Sequence, residues 1–166
     1  MRILGVDPGT LRMGYGLIEE HEEELITLDY GVLVASRRRP LAERLHLLYL
    51  ELMQVVARYH PDEMAVEEPF VGQNARSALA IGRAQAVAML AAAANSIPVY
   101  SYPPAKVKQT VADYGGSGKE QVQQMVGIHL KLTETPQPSD AADALAVAIC
   151  HLQEKRLARL LATSGR

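Results

Sequence analysis

Two short apolar runs in this chain end in the same way, on a carboxylate followed within two residues by a proline. Ile3-Leu4-Gly5-Val6 gives way to Asp7-Pro8-Gly9-Thr10, and Met64-Ala65-Val66 gives way to Glu67-Glu68-Pro69-Phe70. Apolar and β-branched residues stopped by turn-formers predict buried strands, one over Arg2–Val6 and one over Met64–Glu67. Each strand delivers an acid at its carboxyl end, which is where ligand sites gather in open α/β sheets. A turn accounts for Asp7-Pro8-Gly9 equally well when it is taken alone, since Pro presets φ and Gly accepts positive φ.

The rest of the chain supplies the helices for an α/β fold. Met13–Ile18 and Leu25–Val34 read as a second and third strand, with the acidic run Glu19, Glu20, Glu22, Glu23 and Glu24 as a solvated hairpin loop between them. Arg37-Arg38-Arg39 marks a loop. Pro40 opens an amphipathic helix whose stripe is Leu41, Leu45, Leu48, Leu52, Val55 and Tyr59, ending near Pro61. Asn74 is placed to cap an alanine-rich core helix from about Ala75 to Asn95, part of it a candidate dimer contact. Ile97–Tyr102 reads as a fifth strand, and Pro104 starts a short helix carrying Lys106 and Lys108. Gly115-Gly116-Ser117-Gly118 reads as a flexible loop, and Ser117 with Glu120 as a capping box for the next helix. Ser139 caps a last helix running to about Leu161. A single domain over 1–162 with a frayed tail at 163–166 is expected.

Charge and cysteine content narrow the chemistry. The net charge of −2 argues weakly against nucleic acid, yet no Asp or Glu lies between Val71 and Ala112, where Arg76, Arg83, Lys106 and Lys108 sit. Screening confines such a field to about 8–10 Å, so a local basic surface binds phosphate on an acidic protein. The one cysteine, Cys150, excludes an internal disulfide and any cysteine-built metal site. No apolar run reaches the ~18 residues of a membrane span, and no charged-then-apolar leader opens the chain. No membrane association and a cytoplasmic location are expected.

Asp140 and Asp143 lie three apart in the first turn of the last helix, where acids also favour the helix dipole. The adjoining run Ala144-Leu145-Ala146-Val147-Ala148-Ile149 is wholly apolar, so the helix is buried on most sides. A buried carboxylate needs a partner, and no basic residue lies between Lys131 and Lys155. A cation is a natural one. If Asp7, Glu67, Asp140 and Asp143 converge, all-oxygen ligation suits Mg²⁺ or Mn²⁺ better than Zn²⁺, and two such ions fit phosphodiester hydrolysis.

Gly5-Val6-Asp7-Pro8-Gly9-Thr10, Ala65-Val66-Glu67, Val107-Lys108-Gln109-Thr110-Val111, Lys119–Val126 and Asp140-Ala141-Ala142-Asp143-Ala144, in that order, resemble the RuvC family of crossover junction endodeoxyribonucleases. The resemblance runs from residue 3 to about 151. It implies a ribonuclease-H-like fold, a five-stranded mixed sheet flanked by helices. It also implies a homodimer that cuts four-way Holliday junctions with Mg²⁺, and a branch-migration helicase complex as partner. The family's four catalytic, metal-binding acids fall on Asp7, Glu67, Asp140 and Asp143. Some members carry His at the position of Asp140, so an acid–base or water-orienting role stands beside ligation there. Phe70 falls where an aromatic meets unpaired junction bases, and Lys108 and Lys119 fall on basic residues that meet the DNA backbone. Arg76 is a further candidate DNA contact.

Two other readings share the first motif. A shorter RuvC-like nuclease processes ribosomal RNA precursors, but the Lys108 and Lys119 motifs favour the junction enzyme. The motif also resembles the first phosphate loop of the actin, heat-shock chaperone and sugar-kinase ATPases. Those proteins close two such domains on ATP, and this chain holds one.

Overall fold

The computed structural model describes residues 1–22, 24–70 and 75–164. The elements are β1 (Arg2–Asp7), β2 (Arg12–His21), β3 (Glu24–Val34), α1 (Leu41–Tyr59), β4 (Glu63–Glu67), α2 (Ala75–Ala94), β5 (Val99–Tyr102), α3 (Pro104–Ala112), α4 (Lys119–His129) and α5 (Ser139–Ser164). The sheet order is β3-β2-β1-β4-β5, with β1–β2 and β2–β3 antiparallel and β1–β4 and β4–β5 parallel. This is the five-stranded mixed sheet expected.

Strand alternation decides which face each acid joins. Ile3 on β1, Ile18 on β2 and Ala65 on β4 pack beneath α3, α4 and α5, through Val107, Val111, Val126, Leu145 and Ile149. Leu4, Val6, Leu17, Met64 and Val66 pack on the other face against Leu48, Leu52 and Val56 of α1 and Ala84, Ala88 and Ala91 of α2. Asp7 and Glu67 are two residues beyond Gly5 and Ala65, so both carboxylates turn toward α5.

α5 lies directly on the strand backbones because glycines clear its path. Gly5 pairs with Gly16 across β1 and β2, and Asp7 pairs with Gly14. A Cβ at Gly5 would lie 2.1 Å from the Ala144 carbonyl oxygen, and one at Gly14 would lie 1.9 Å from that of Asp140. Neither glycine has positive φ, so both serve close approach and not a turn. The first two turns of α5 are thereby pressed onto the end of β1 where Asp7 stands.

A polar clamp fixes the opposite end of the β4–α5 pair. His151 is fully buried, with Nε2 2.6 Å from Glu63 and Nδ1 2.6 Å from the Tyr102 hydroxyl. The carboxylate can only accept, so Nε2 carries the proton and Nδ1 accepts from Tyr102. Lys155 pairs with the other Glu63 oxygen. Burial opposes charge on His151 and lowers its pKa, although Glu63 pulls the other way. The Lys155 and His151 hydrogen bonds overcome burial at Glu63 and lower its pKa.

Several local expectations are corrected. Glu19 and Glu20 belong to β2 and not to a hairpin loop. Arg2 holds Glu19 at 3.1 Å, and Arg156 and Arg159 hold Glu20 at 2.7 and 3.2 Å, so partners distant in sequence keep both acids on the strand. Ser117 forms no capping box: Gly118 takes the cap position of α4, and the Ser117 hydroxyl turns inward, buried. Ser139 is the first residue of α5 and not its cap, and the helix continues past Leu161 through Thr163 to Ser164. The Thr163 hydroxyl donates to the Leu160 carbonyl at 2.8 Å, so Thr163 is no part of a frayed tail. α2 is long and apolar enough to cross a membrane by length and composition, against the run-length argument. It packs one face, including Ala84, Val87, Ala88, Ala91 and Ala92, into the core. The Asn74 cap lies outside the described residues.

Candidate active site

The end of β1, the end of β4 and the start of α5 meet at one place, with α3 and α4 along its rim. A cleft of about 230 Å³ opens there between Glu67 and Asp143, walled by Lys108 and Val107 of α3 and by Lys119 and Val122 of α4. Asp7 lies under it, within electrostatic reach of Glu67, Asp143 and Asp140. Two carboxylates thus line the cleft at the carboxyl end of the parallel strands, and Asp7 and Asp140 add their charge to the same site.

The electrostatics are those of a site short of positive charge. Burial, then the charges of Glu67, Asp143 and Asp140, push the Asp7 carboxyl up to about 8. Burial and Asp143 push Glu67 up to about 7, against the pull of Lys108 and Lys119. Contact with Asp7 offsets part of the rise at Glu67. Such a pair titrates as a unit.

Basic side chains hold the other two acids. Lys119 Nζ is 2.6 Å from Asp143, and Arg12 Nε is 2.9 Å from Asp140. Burial raises the Asp143 pKa and Lys119 offsets part of the rise. Burial opposes charge on Lys119, but its bond to Asp143 outweighs that and raises its pKa. Basic partners for the α5 acids thus exist, but they come from elements distant in sequence. Arg12 was missed because it lies 128 positions from Asp140. Its signal was its place on the strand just after Asp7-Pro8-Gly9-Thr10.

Among the described residues, no three His, Cys, Asp or Glu side chains are gathered tightly enough to hold an ion as they stand. The donor set fits divalent cations nonetheless. It is all oxygen, and burial together with mutual repulsion raises the pKa of Asp7 and Glu67, which a bound cation would offset. Arg12 and Lys119 are exposed, flexible side chains that can turn away without moving the backbone.

Of the expected DNA contacts, Lys108 and Lys119 stand at the cleft beside the acids. Phe70 follows Glu67 by three residues and is 72% exposed, so it is not a core phenylalanine. Arg76 lies exposed in the first turn of α2 and does not line the cleft. Arg83 is exposed farther along the same helix.

Comparison with known proteins agrees with this arrangement. A family described as crossover junction endodeoxyribonuclease RuvC matches residues 3–151. The crossover junction endodeoxyribonuclease RuvC of Dehalococcoides mccartyi is 52% identical over 161 residues, covering 97% of this chain and 96% of that protein. Thermus thermophilus RuvC superposes with a TM-score of 0.87 at 34% identity, over 95% of this chain and 97% of that one. Its complex with a Holliday junction substrate gives a TM-score of 0.88, over 95% and 96% of the two chains.

Proposed function

The chain belongs to the RuvC family of crossover junction endodeoxyribonucleases, with a ribonuclease-H-like fold, and from that membership we propose how its site resolves a four-way DNA junction. The observation that carries the mechanism is one cleft lined by Glu67, Asp143, Lys108 and Lys119, with Asp7 in electrostatic reach of both acids. Asp7, Glu67 and Asp143, with Asp140 at the edge, are the residues that would hold two divalent ions, Mg²⁺ with Mn²⁺ able to substitute. Such ions supply positive charge for attack of water on a phosphodiester and for departure of the sugar oxygen.

The protein's own groups prepare that reaction. Lys119 and Arg12 pair with Asp143 and Asp140 while no DNA is bound. An arriving phosphate competes for Lys119 and draws it off Asp143, so DNA entry and release of a ligand carboxylate are one event. Lys108 holds the phosphate from the α3 side. Phe70, exposed just past Glu67, offers a ring to an unpaired base. Apolar Val107 and Val122 wall the cleft and limit water, which strengthens every charge interaction within it.

Two sites are needed for two cuts. A C2 dimer presents them by the same operator that relates the junction's halves. α2 offers a face for that contact, since Leu79, Met89 and Leu90 are exposed on it at 57%, 44% and 63%. The test is incubation of the protein with a synthetic mobile four-way junction and Mg²⁺ or Mn²⁺. Paired, symmetric nicks are expected, with linear duplex left intact. An uncut junction under both ions refutes the reading.

A further inference from the structure

We infer that Tyr114, on the loop between α3 and α4, is a second stacking platform that seats a nucleobase of the junction beside the cleft; this extends the proposed nuclease function and rests on it. Tyr114 is the most exposed tyrosine of the chain, at 69%. The phenols of Tyr15 and Tyr59 are engaged by Asp29, and Tyr102 is engaged by His151. The Tyr100 ring lies on the His151 imidazole, with centroids 4.5 Å apart. Tyr114 has no such inward task.

The ring is held as well as exposed. A Cβ at Gly116 would meet its Cε1, Cζ and Oη at 2.6, 2.8 and 2.9 Å, so the phenol lies flat against the glycine backbone. Gly116 has no positive φ, and the absence of a side chain there serves the ring and not a turn. The Ser117 N–H closes the loop on the Tyr114 carbonyl at 3.1 Å. The glycine loop that reads as flexible in the sequence is a seat, with one face of the ring on backbone and the other open to solvent.

Its place gives the open face a ligand. The loop joins the helix that brings Lys108 to the cleft with the helix whose first residue is Lys119. A strand whose phosphate enters between those lysines carries its bases past this loop. Phe70 stands where the chain leaves Glu67, so the most exposed phenylalanine and the most exposed tyrosine follow different elements that lead to the cleft. A π-face next to a phosphate site accepts any base, and its contribution is independent of salt because no charge is involved.

The experiment compares Tyr114→Ala, Tyr114→Phe, Tyr114→Trp and Gly116→Ala in the Asp7→Asn background, titrating each against a synthetic four-way junction over a range of salt. Thermal melts confirm that each variant is folded. Tyr114→Ala should weaken binding roughly five- to hundredfold, the worth of one stacked base. Its salt slope should stay unchanged. Phe and Trp should retain affinity, and Gly116→Ala, which forces the ring off its seat, should reproduce the loss. Affinity within twofold of the parent for Tyr114→Ala overturns the proposal. So does a Phe variant as weak as the Ala variant, or full affinity in Gly116→Ala. If the wild-type protein binds the junction yet leaves it uncut with Mg²⁺ and Mn²⁺, the nuclease reading fails by itself, and these binding comparisons still decide Tyr114.

Discussion

Replacing Asp7 by Asn should make the metal-free protein more stable, and the gain should grow with pH. In the fold the Asp7 carboxyl is pushed from 3.8 to about 8, first by burial and then by Glu67, Asp143 and Asp140. A group whose folded value lies above its unfolded value stabilises fully below the unfolded value, and that contribution is lost as pH rises toward the folded one. At pH 7 the cost of holding this carboxyl is bounded by the climb from 3.8, at about 1.36 kcal/mol per pH unit, or roughly 4 kcal/mol. Glu67 shares this cost and relaxation of the fold reduces it, so a gain on the order of 2–4 kcal/mol is expected. At pH 5 the same reasoning leaves on the order of 1 kcal/mol. Asn keeps a donor for Glu67 and adds no charge. For a domain of this size each kcal/mol moves Tm by about 2–4 °C, so the variant should melt about 5–15 °C higher at pH 7 in EDTA. The assay is thermal unfolding of both proteins in EDTA at pH 5, 6, 7 and 8, repeated with Mg²⁺. Mg²⁺ should raise the wild-type midpoint and leave the variant's nearly unchanged. A variant that melts at or below wild type at pH 8 refutes the argument, as does a gain that does not widen with pH.

The same geometry has other consequences. Lys119→Ala should weaken junction binding and reduce the slope of log K against log salt by about 1, read by titration at several salt concentrations; an unchanged slope returns Lys119 to the solvated surface. Gly5→Ala drives a Cβ into the Ala144 carbonyl, so urea unfolding should show a loss of at least about 2 kcal/mol. His151 has a lowered pKa in the fold, so its contribution is present above its ordinary value of 6.5 and lost as pH falls. His151→Asn should therefore flatten the acid side of the stability profile below pH 6.5, and an acid limb as steep as in wild type excludes the clamp as its cause.

The strand-ending acids were legible because their signal is local. An apolar run, a carboxylate and a turn-former place Asp7 and Glu67 at strand ends, and a period of two puts both on the α5 face. The order of the five motifs carried the rest of the acid set. Sequence did not show how α5 reaches the strands, since the role of Gly5, Gly14 and Gly16 depends on a helix backbone more than a hundred residues away. Glu19 and Glu20 read as loop because their partners Arg2, Arg156 and Arg159 are local to neither. Arg12 and Lys119 were invisible as partners of Asp140 and Asp143 for the same reason. Ser117 failed as a cap because Gly118 fills that position, and a buried hydroxyl leaves no trace in a capping pattern.

The glycine track under α5 also acts as a gauge. Contacts between side chains stretch, refill and drift when a core is mutated or warmed. Contacts between two main chains have almost no give, because nothing flexible lies between Gly14 and the Asp140 carbonyl. The offset between the β1 acid and the helix acids is thus set by direct main-chain contact, and the leucines and valines around it can vary without shifting the acids.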